Sequence, residues 1–433
     1  MRTALLAWDY PPAPSGLSTA AREIAESLAQ AGAEVTVFTL DRAGHDRVGG
    51  VTVAGLALPS DGLLARLRLW GSAGHLAAPL AFRRAVLDAH GRRPFAVIEA
   101  TNWYAPAALL AGRPDLPLVT RSSTPAAFTR DPAGTLRNRL DGLMADRLEG
   151  RQARGSAGLI ANTAAHAAVV ARAYGLSGRQ PDAVIGLSLP PEVVGAARGA
   201  AYPEAEAPVR LLFVGRAEAR KGFDALMGAV AILDLDQARG SLPPFCLDLV
   251  GVAPSDLPAD LSASTRCRIR ARGRIDGPAL AEAYAQAHAV VAPSRYESFG
   301  LVYQEAMAYG RPVVACAEDA SARAFVGIPG AGPLAEAATG PALAEALRPL
   351  LIDPDLRRTY RARALAAAGR FGRASLGQET LALYQRAIGD AGRPVNRRRD
   401  AAARLLPQGG PVRDREPRSG ATAPAHDPRS GDA

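Results

Sequence analysis

Val290–Ala315 reads VVAPSRYESFGLVYQEAMAYGRPVVA. Its first three residues form a short, largely β-branched run that Pro293 ends, and a loop through Ser294, Arg295, Tyr296, Glu297 and Ser298 follows. Phe299-Gly300 opens a helix that carries Glu305 and stops at Gly310, before a second strand starts at Val313 behind Pro312. Such a strand–loop–helix–strand unit places backbone N–H groups and the positive end of a helix at the carboxyl edge of a parallel sheet, where anionic ligands bind. Glu297 and Glu305 flank that edge. On spacing alone they read equally well as solvated surface charges, because strand–helix turns with nearby acids are common. Donors for phosphate beside acceptors for hydroxyls suit a sugar nucleotide.

The 433 residues around this unit are enough for two α/β domains with sizeable cores. Residues 1–190 read as the first. Thr3–Ala7 is strand-like, the loop Asp9 to Gly16 leads into a helix over 17–31, and a strand over 34–40 completes a βαβ unit. Further strands are expected at 51–56, 96–100, 118–121, 158–161 and 184–187. Residues 191–208 have linker composition. The second domain, 209–374, has strands at 210–214, 246–250 and 268–271 before the central unit, with helices at 341–351 and 354–370. A helix over 375–388 is expected to pack back on the first domain. The tail from 389 to 433 is rich in Arg, Pro and Gly and reads as disordered.

Three cysteines at irregular spacing give neither a disulfide framework nor a metal site and point to a reducing, cytoplasmic setting. The apolar run at the N-terminus is too short for a signal peptide, and none approaches the roughly 20 residues that span a bilayer. The net charge is +9, so acidic partners have to be considered. Arg-rich segments at 61–93 and 121–154 read first as solvated helix faces. They also suit a peripheral contact with the inner face of an anionic membrane. Nucleic acid is not expected, since few aromatic residues interleave with the arginines. Asp234-Leu235-Asp236 reads as a solvated helix terminus, and no metal-ligand spacing occurs elsewhere.

Of 51 basic residues, 50 are Arg and one is Lys, at Lys221. It marks a position where a compact ammonium is wanted in place of a guanidinium. Arg216 and Lys221 sit at strand-end loops on the same predicted edge as Glu297 and Glu305. Arg216 can fork across two phosphoryl oxygens and Lys221 can act as a point charge on the same diphosphate. Glu305 can accept from both hydroxyls of a ribose, and Glu297 from hydroxyls of a transferred group.

Gly215-Arg216…Lys221-Gly222, Pro293-Ser294…Glu297-Ser298-Phe299-Gly300…Glu305-Ala306 and Gly310-Arg311-Pro312-Val313-Val314-Ala315 together resemble glycosyltransferase family 4, sharply over 210–315 and in outline over most of 1–388. The resemblance implies a GT-B architecture of two Rossmann-like domains facing a cleft. It implies a retaining transfer from a nucleoside-diphosphate sugar to an acceptor hydroxyl, with no metal or other cofactor. It assigns Glu297, Arg216 and Lys221 to the reaction and Glu305 to the ribose. Ser298, Phe299, Gly300 and Leu301 fall in the donor-binding turn, Gly273-Arg274-Ile275 beside the base, and Gly16 in the first-domain glycine loop. Two departures stand out. Relatives carry a histidine where Ser123 stands, and a G-G-x-x-E turn where Glu318–Ala322 stands. None of the six histidines replaces the missing one by position. A catalytically weak sugar-nucleotide-binding homologue serving a partner transferase therefore stays open as a second reading.

Overall fold

A computed structural model of the chain describes all residues except 14, 57, 59–71, 131–134, 177, 204–207 and 392–433. Most of the expected tail and part of the first Arg-rich segment lie outside the described residues.

The first sheet contains β1 (Arg2–Leu6), β2 (Glu34–Thr39), β3 (Gly44–Val48), β4 (Val51–Gly55), β5 (Val97–Thr101), β6 (Leu118–Ser122), β7 (Gly158–Ala161) and β8 (Ala183–Val184). Their spatial order is β3-β4-β2-β1-β5-β6-β7-β8. All pairs are parallel apart from β3 with β4, an edge hairpin absent from the sequence reading. The second sheet holds β9 (Val209–Val214), β10 (Phe245–Val250), β11 (Ile269–Ala271), β12 (Ala289–Ala292), β13 (Val313–Cys316) and β14 (Leu334–Ala335). It is parallel throughout, in the order β11-β10-β9-β12-β13-β14. Its central strands run with Val, Leu, Phe and Ala on both faces, as a sheet covered on both sides requires.

Both sheets reverse direction beside their first strand, between β1 and β5 and between β9 and β12. The crevice outside the carboxyl ends of strands at such a switch point is where ligands bind in open α/β sheets. Residues 215–222 leave β9 and residues 293–300 leave β12, so the second switch point brings together the two motifs that the sequence singles out.

Helix Arg373–Ala391 returns to the first sheet and runs past its expected end at 388. It lies on helix Gly16–Gln30 so closely that a Cβ on Gly377 would meet the Ser27 carbonyl. Buried polar contacts fix it. Arg373 pairs with Glu23 and Glu26, while Tyr384 OH donates to Glu99 at 2.7 Å, and Glu99 also binds Arg121 at 2.7 Å.

Two local readings need correction. The segment after Pro190 holds a helix, Pro191–Gly199, in place of a bare linker: Pro191 sits in its first turn, Glu192 pairs with Arg22, and Ala197 is buried. Asp234 is not a solvated terminus. It is buried, accepts from Ser264 and Thr265 at 2.9 Å and pairs with Arg268, so it anchors helix Ala263–Cys267. Asp236 binds Arg348 at 2.8 Å.

Candidate functional site

Gly222 seats the first motif. Its φ is +70°, and a Cβ there would lie 2.0 Å from the Pro293 carbonyl oxygen, so only glycine lets this loop press on the end of β12. Lys221 is thereby delivered to Glu297: Nζ donates to Oε1 at 2.5 Å, and Ser294 Oγ donates to the same oxygen at 2.7 Å. Arg220 approaches the other oxygen at 3.6 Å and donates to the Tyr296 carbonyl at 3.1 Å. Arg220 also pairs with Glu218 at 3.4 Å, which holds the exposed Arg216 guanidinium at 2.7 Å. The result is an alternating chain Arg216–Glu218–Arg220–Glu297–Lys221. The sequence reading missed Arg220, because nothing local separates it from its many arginine neighbours.

Glu297 is 8% exposed. Burial alone would raise its carboxyl, but the Lys221 ammonium and Arg220 guanidinium hold it below its ordinary value, aided by the bonds from Lys221 and Ser294. Glu305 lies in helix Leu301–Ala308 and accepts from Tyr284 OH at 2.7 Å. Burial raises it, opposed by the Tyr284 hydroxyl and by the field of Lys221. One ammonium therefore acts on both carboxylates.

The helix carrying Glu305 starts at Gly300, whose φ of +84° turns the chain, and a Cβ there would strike the Tyr303 ring. Phe299 is buried between Phe325 and Phe371, with ring centroids 5.2 and 5.1 Å away, while Ser298 and Leu301 are half-buried. Gly273 stands by the end of β10, where its carbonyl accepts from Gly251 N at 2.7 Å. Arg274 is exposed and Ile275 half-buried. Gly16, exposed in the other lobe, opens the first helix behind the N-cap Ser15.

Asp319 also belongs to the site and was missed. It receives Glu297 N at 3.0 Å, Tyr303 OH at 2.8 Å, and Ser321 N and Ala322 N at 3.2 Å, so it fixes the Glu297 loop from beneath. The departure at Glu318–Ala322 thus supplies a buried carboxylate. Burial and the neighbouring Glu297 push Asp319 up to about 6. Its proton is held by the folded chain between about pH 4 and 6, where the unfolded chain has already lost it. Ionisation therefore removes stability as pH rises through that window, by roughly 3 kcal/mol at most. Asp319→Asn should lack this loss. In paired melting curves the wild type should fall behind the variant as pH rises from 4 to 6 and then run level. Parallel profiles would contradict the assignment.

Ser123 lies at the carboxyl end of β6, where its Oγ meets Thr101 Oγ1 at 3.0 Å and Asn102 Oδ1 at 3.1 Å. His166 is next to it, with Nε2 3.1 Å from the Ser122 carbonyl oxygen. Among the described residues, no group of three His, Cys, Asp or Glu side chains could hold a metal ion, and no helix is long and apolar enough to cross a membrane. Leu136, Leu140 and Leu143 of helix Leu136–Gly155 are exposed on its surface.

A family model described as glycosyl transferases group 1 matches residues 208–353, and one described as glycosyl transferase 4-like domain matches 15–187. The D-inositol 3-phosphate glycosyltransferase of Kineococcus radiotolerans is 31% identical over 411 residues, covering 87% of this chain and 91% of that protein. D-inositol 3-phosphate glycosyltransferase 1 of Catenulispora acidiphila is 35% identical over 195 residues, 42% of this chain and 46% of that protein. Among solved structures, sucrose-phosphate synthase from Thermosynechococcus elongatus superposes with a TM-score of 0.68 at 22% identity, covering 90% of this chain and 99% of that one. Anabaena HepE, solved with UDP and glucose, superposes at 0.58 and 20% identity, covering 88% and 98%.

Proposed function

Because the chain belongs to the GT4-type glycosyltransferases, we propose that it moves a sugar from a nucleoside diphosphate to an acceptor hydroxyl, with retention at the sugar carbon and without a metal ion. The observation that carries this reading is the placement of Lys221, which bonds Glu297 and reaches Glu305 with its field. A diphosphate seated on Lys221 and Arg216 has the first turn of helix Leu301–Ala308 at its side. Charge-assisted bonds of this kind contribute roughly 1.5–3 kcal/mol each. Their effect grows as negative charge builds on the departing nucleotide. That charge work is what a divalent ion performs elsewhere, so the reading requires none.

In this reading Glu305 accepts from the ribose hydroxyls, Gly273, Arg274 and Ile275 border the base, and Ser298 lines the donor turn. Glu297, kept ionised by two cations, accepts from hydroxyls of the departing sugar. The loop at Gly16 faces the cleft from the other lobe. A weak binding homologue serving a partner is less supported, since the relatives that match are themselves named as transferases.

The test is calorimetric titration with UDP, GDP and ADP, followed by incubation with the corresponding sugar nucleotides. One nucleotide should bind, and its sugar conjugate should lose the sugar to water or acceptor. If no nucleotide binds at high protein concentration, the reading fails.

A further inference from the structure

Glu297 and Ser123 stand on different lobes, and a short chain of contacts joins them. His166 occupies the third position of helix Ala164–Ala173, where its backbone N–H is capped by Thr163 Oγ1 at 3.0 Å. In an ordinary capping box the side chain at this position is Glu or Gln and turns back to the cap. Here it is a buried imidazole that turns away from the cap. The Ser122 carbonyl oxygen takes two donors, Asn162 Nδ2 at 3.2 Å and His166 Nε2 at 3.1 Å. A carbonyl only accepts, so Nε2 carries the proton and Nδ1 is left as an acceptor. Tyr296 OH, from the other lobe, meets that Nδ1. The Tyr296 ring lies flat on Phe128, with centroids 5.0 Å apart and planes 14° apart. Tyr296 is the residue before Glu297 and Ser122 is the residue before Ser123.

We propose that His166 and Tyr296 are positioning residues for the transfer, clasping the Ser122–Ser123 strand end to the Glu297 loop and so setting the gap in which the donor sugar meets its acceptor. The inference rests on the glycosyltransferase reading and deepens it. The clasp acts through the backbones on either side of that gap; neither side chain needs to touch the sugar. It also gives this chain a histidine at the strand end where Ser123 leaves none, contributed from a different element.

Tyr296→Phe removes the hydroxyl and keeps the stacking on Phe128; His166→Gln places an amide nitrogen at the Nε2 position, so it can still reach Ser122 but offers nothing to Tyr296. Both variants and their double mutant are compared with wild type, using whichever of UDP-, GDP- or ADP-glucose binds the wild type. Each single variant should lower kcat for sugar release about tenfold with KM for the donor within twofold. The double mutant should be no worse than the poorer single one. The ¹⁵N spectrum of His166 should show a neutral ring protonated at Nε2, and its Nδ1 resonance should shift in Tyr296→Phe. Wild-type nucleotide binding with kcat unchanged in both variants, or with losses that multiply, overturns the clasp and leaves the transferase reading standing. A wild type that binds none of the nucleotides overturns that reading, and the positioning role with it.

Discussion

Lys221→Ala is expected to lower kcat for sugar transfer by about 10²- to 10³-fold, the size of loss seen when one preorganised electrostatic contact to a developing charge is removed. The ammonium is partly buried, bonded to Glu297 and close enough to Glu305 to oppose its rise. Without it, the diphosphate would face two carboxylates with Arg220 and Arg216 alone. Arg220 is already shared between Glu297, Glu218 and the Tyr296 carbonyl, and Arg216 is bound to Glu218. Arg220 cannot swing to the phosphate without breaking a pair, so only the exposed Arg216 would remain to meet it. Nucleotide affinity should fall less than turnover, because the ground-state diphosphate keeps the helix end and gains charge only as the sugar leaves. Lys221→Arg tests the geometry. A planar fork in a seat shaped by Gly222 and Pro293 cannot reproduce a compact point charge, so at most a tenth of the wild-type rate should return. A Lys221→Ala enzyme within threefold of wild type would remove Lys221 from the chemistry.

Lys221 and Glu297 were legible because their neighbours in sequence also set their geometry. Gly222 creates the seat, Pro293 ends the strand, and strand–loop–helix periodicity puts both at one edge. Arg220, Asp319, Tyr284 and His166 were not legible. Each acquires its role from a partner between 21 and 130 residues away, brought near by strand order alone. Asp234 shows the reverse failure. Its place late in a helix suggested solvent, but helix Ala263–Cys267 folds over it with two hydroxyls and a guanidinium. Periodicity locates elements, and burial then depends on what the next crossover lays on top.

Arg311, in the motif that precedes β13, carries the largest expected effect on stability. It is 0% exposed. Its Nε donates to the Tyr284 carbonyl at 2.8 Å, while Nη2 donates to Ala201 at 2.7 Å and to Ala285 at 2.9 Å. The guanidinium also sits 5.0 Å from the centroid of Tyr202, whose hydroxyl donates to the His288 carbonyl at 2.8 Å. One side chain thus closes the end of helix Gly277–Gln286 and ties the inter-domain connection to the second lobe. Burial depresses its pKa to about 10, so it stays protonated at neutral pH. Arg311→Ala would strand three carbonyls and open a cavity, at a cost of about 3–5 kcal/mol. For a lobe of this size that corresponds to a fall in melting midpoint of about 6–20 °C. Arg311→Met should recover the packing but not the carbonyl partners, and so lie between. Because Tyr284 offers its carbonyl to Arg311 and its hydroxyl to Glu305, the surviving Arg311→Ala protein should also bind nucleotide more weakly, without the collapse in kcat expected of Lys221→Ala. Melting curves with the midpoint unmoved by more than 2 °C would show that the connection is held by other contacts and that Arg311 is dispensable.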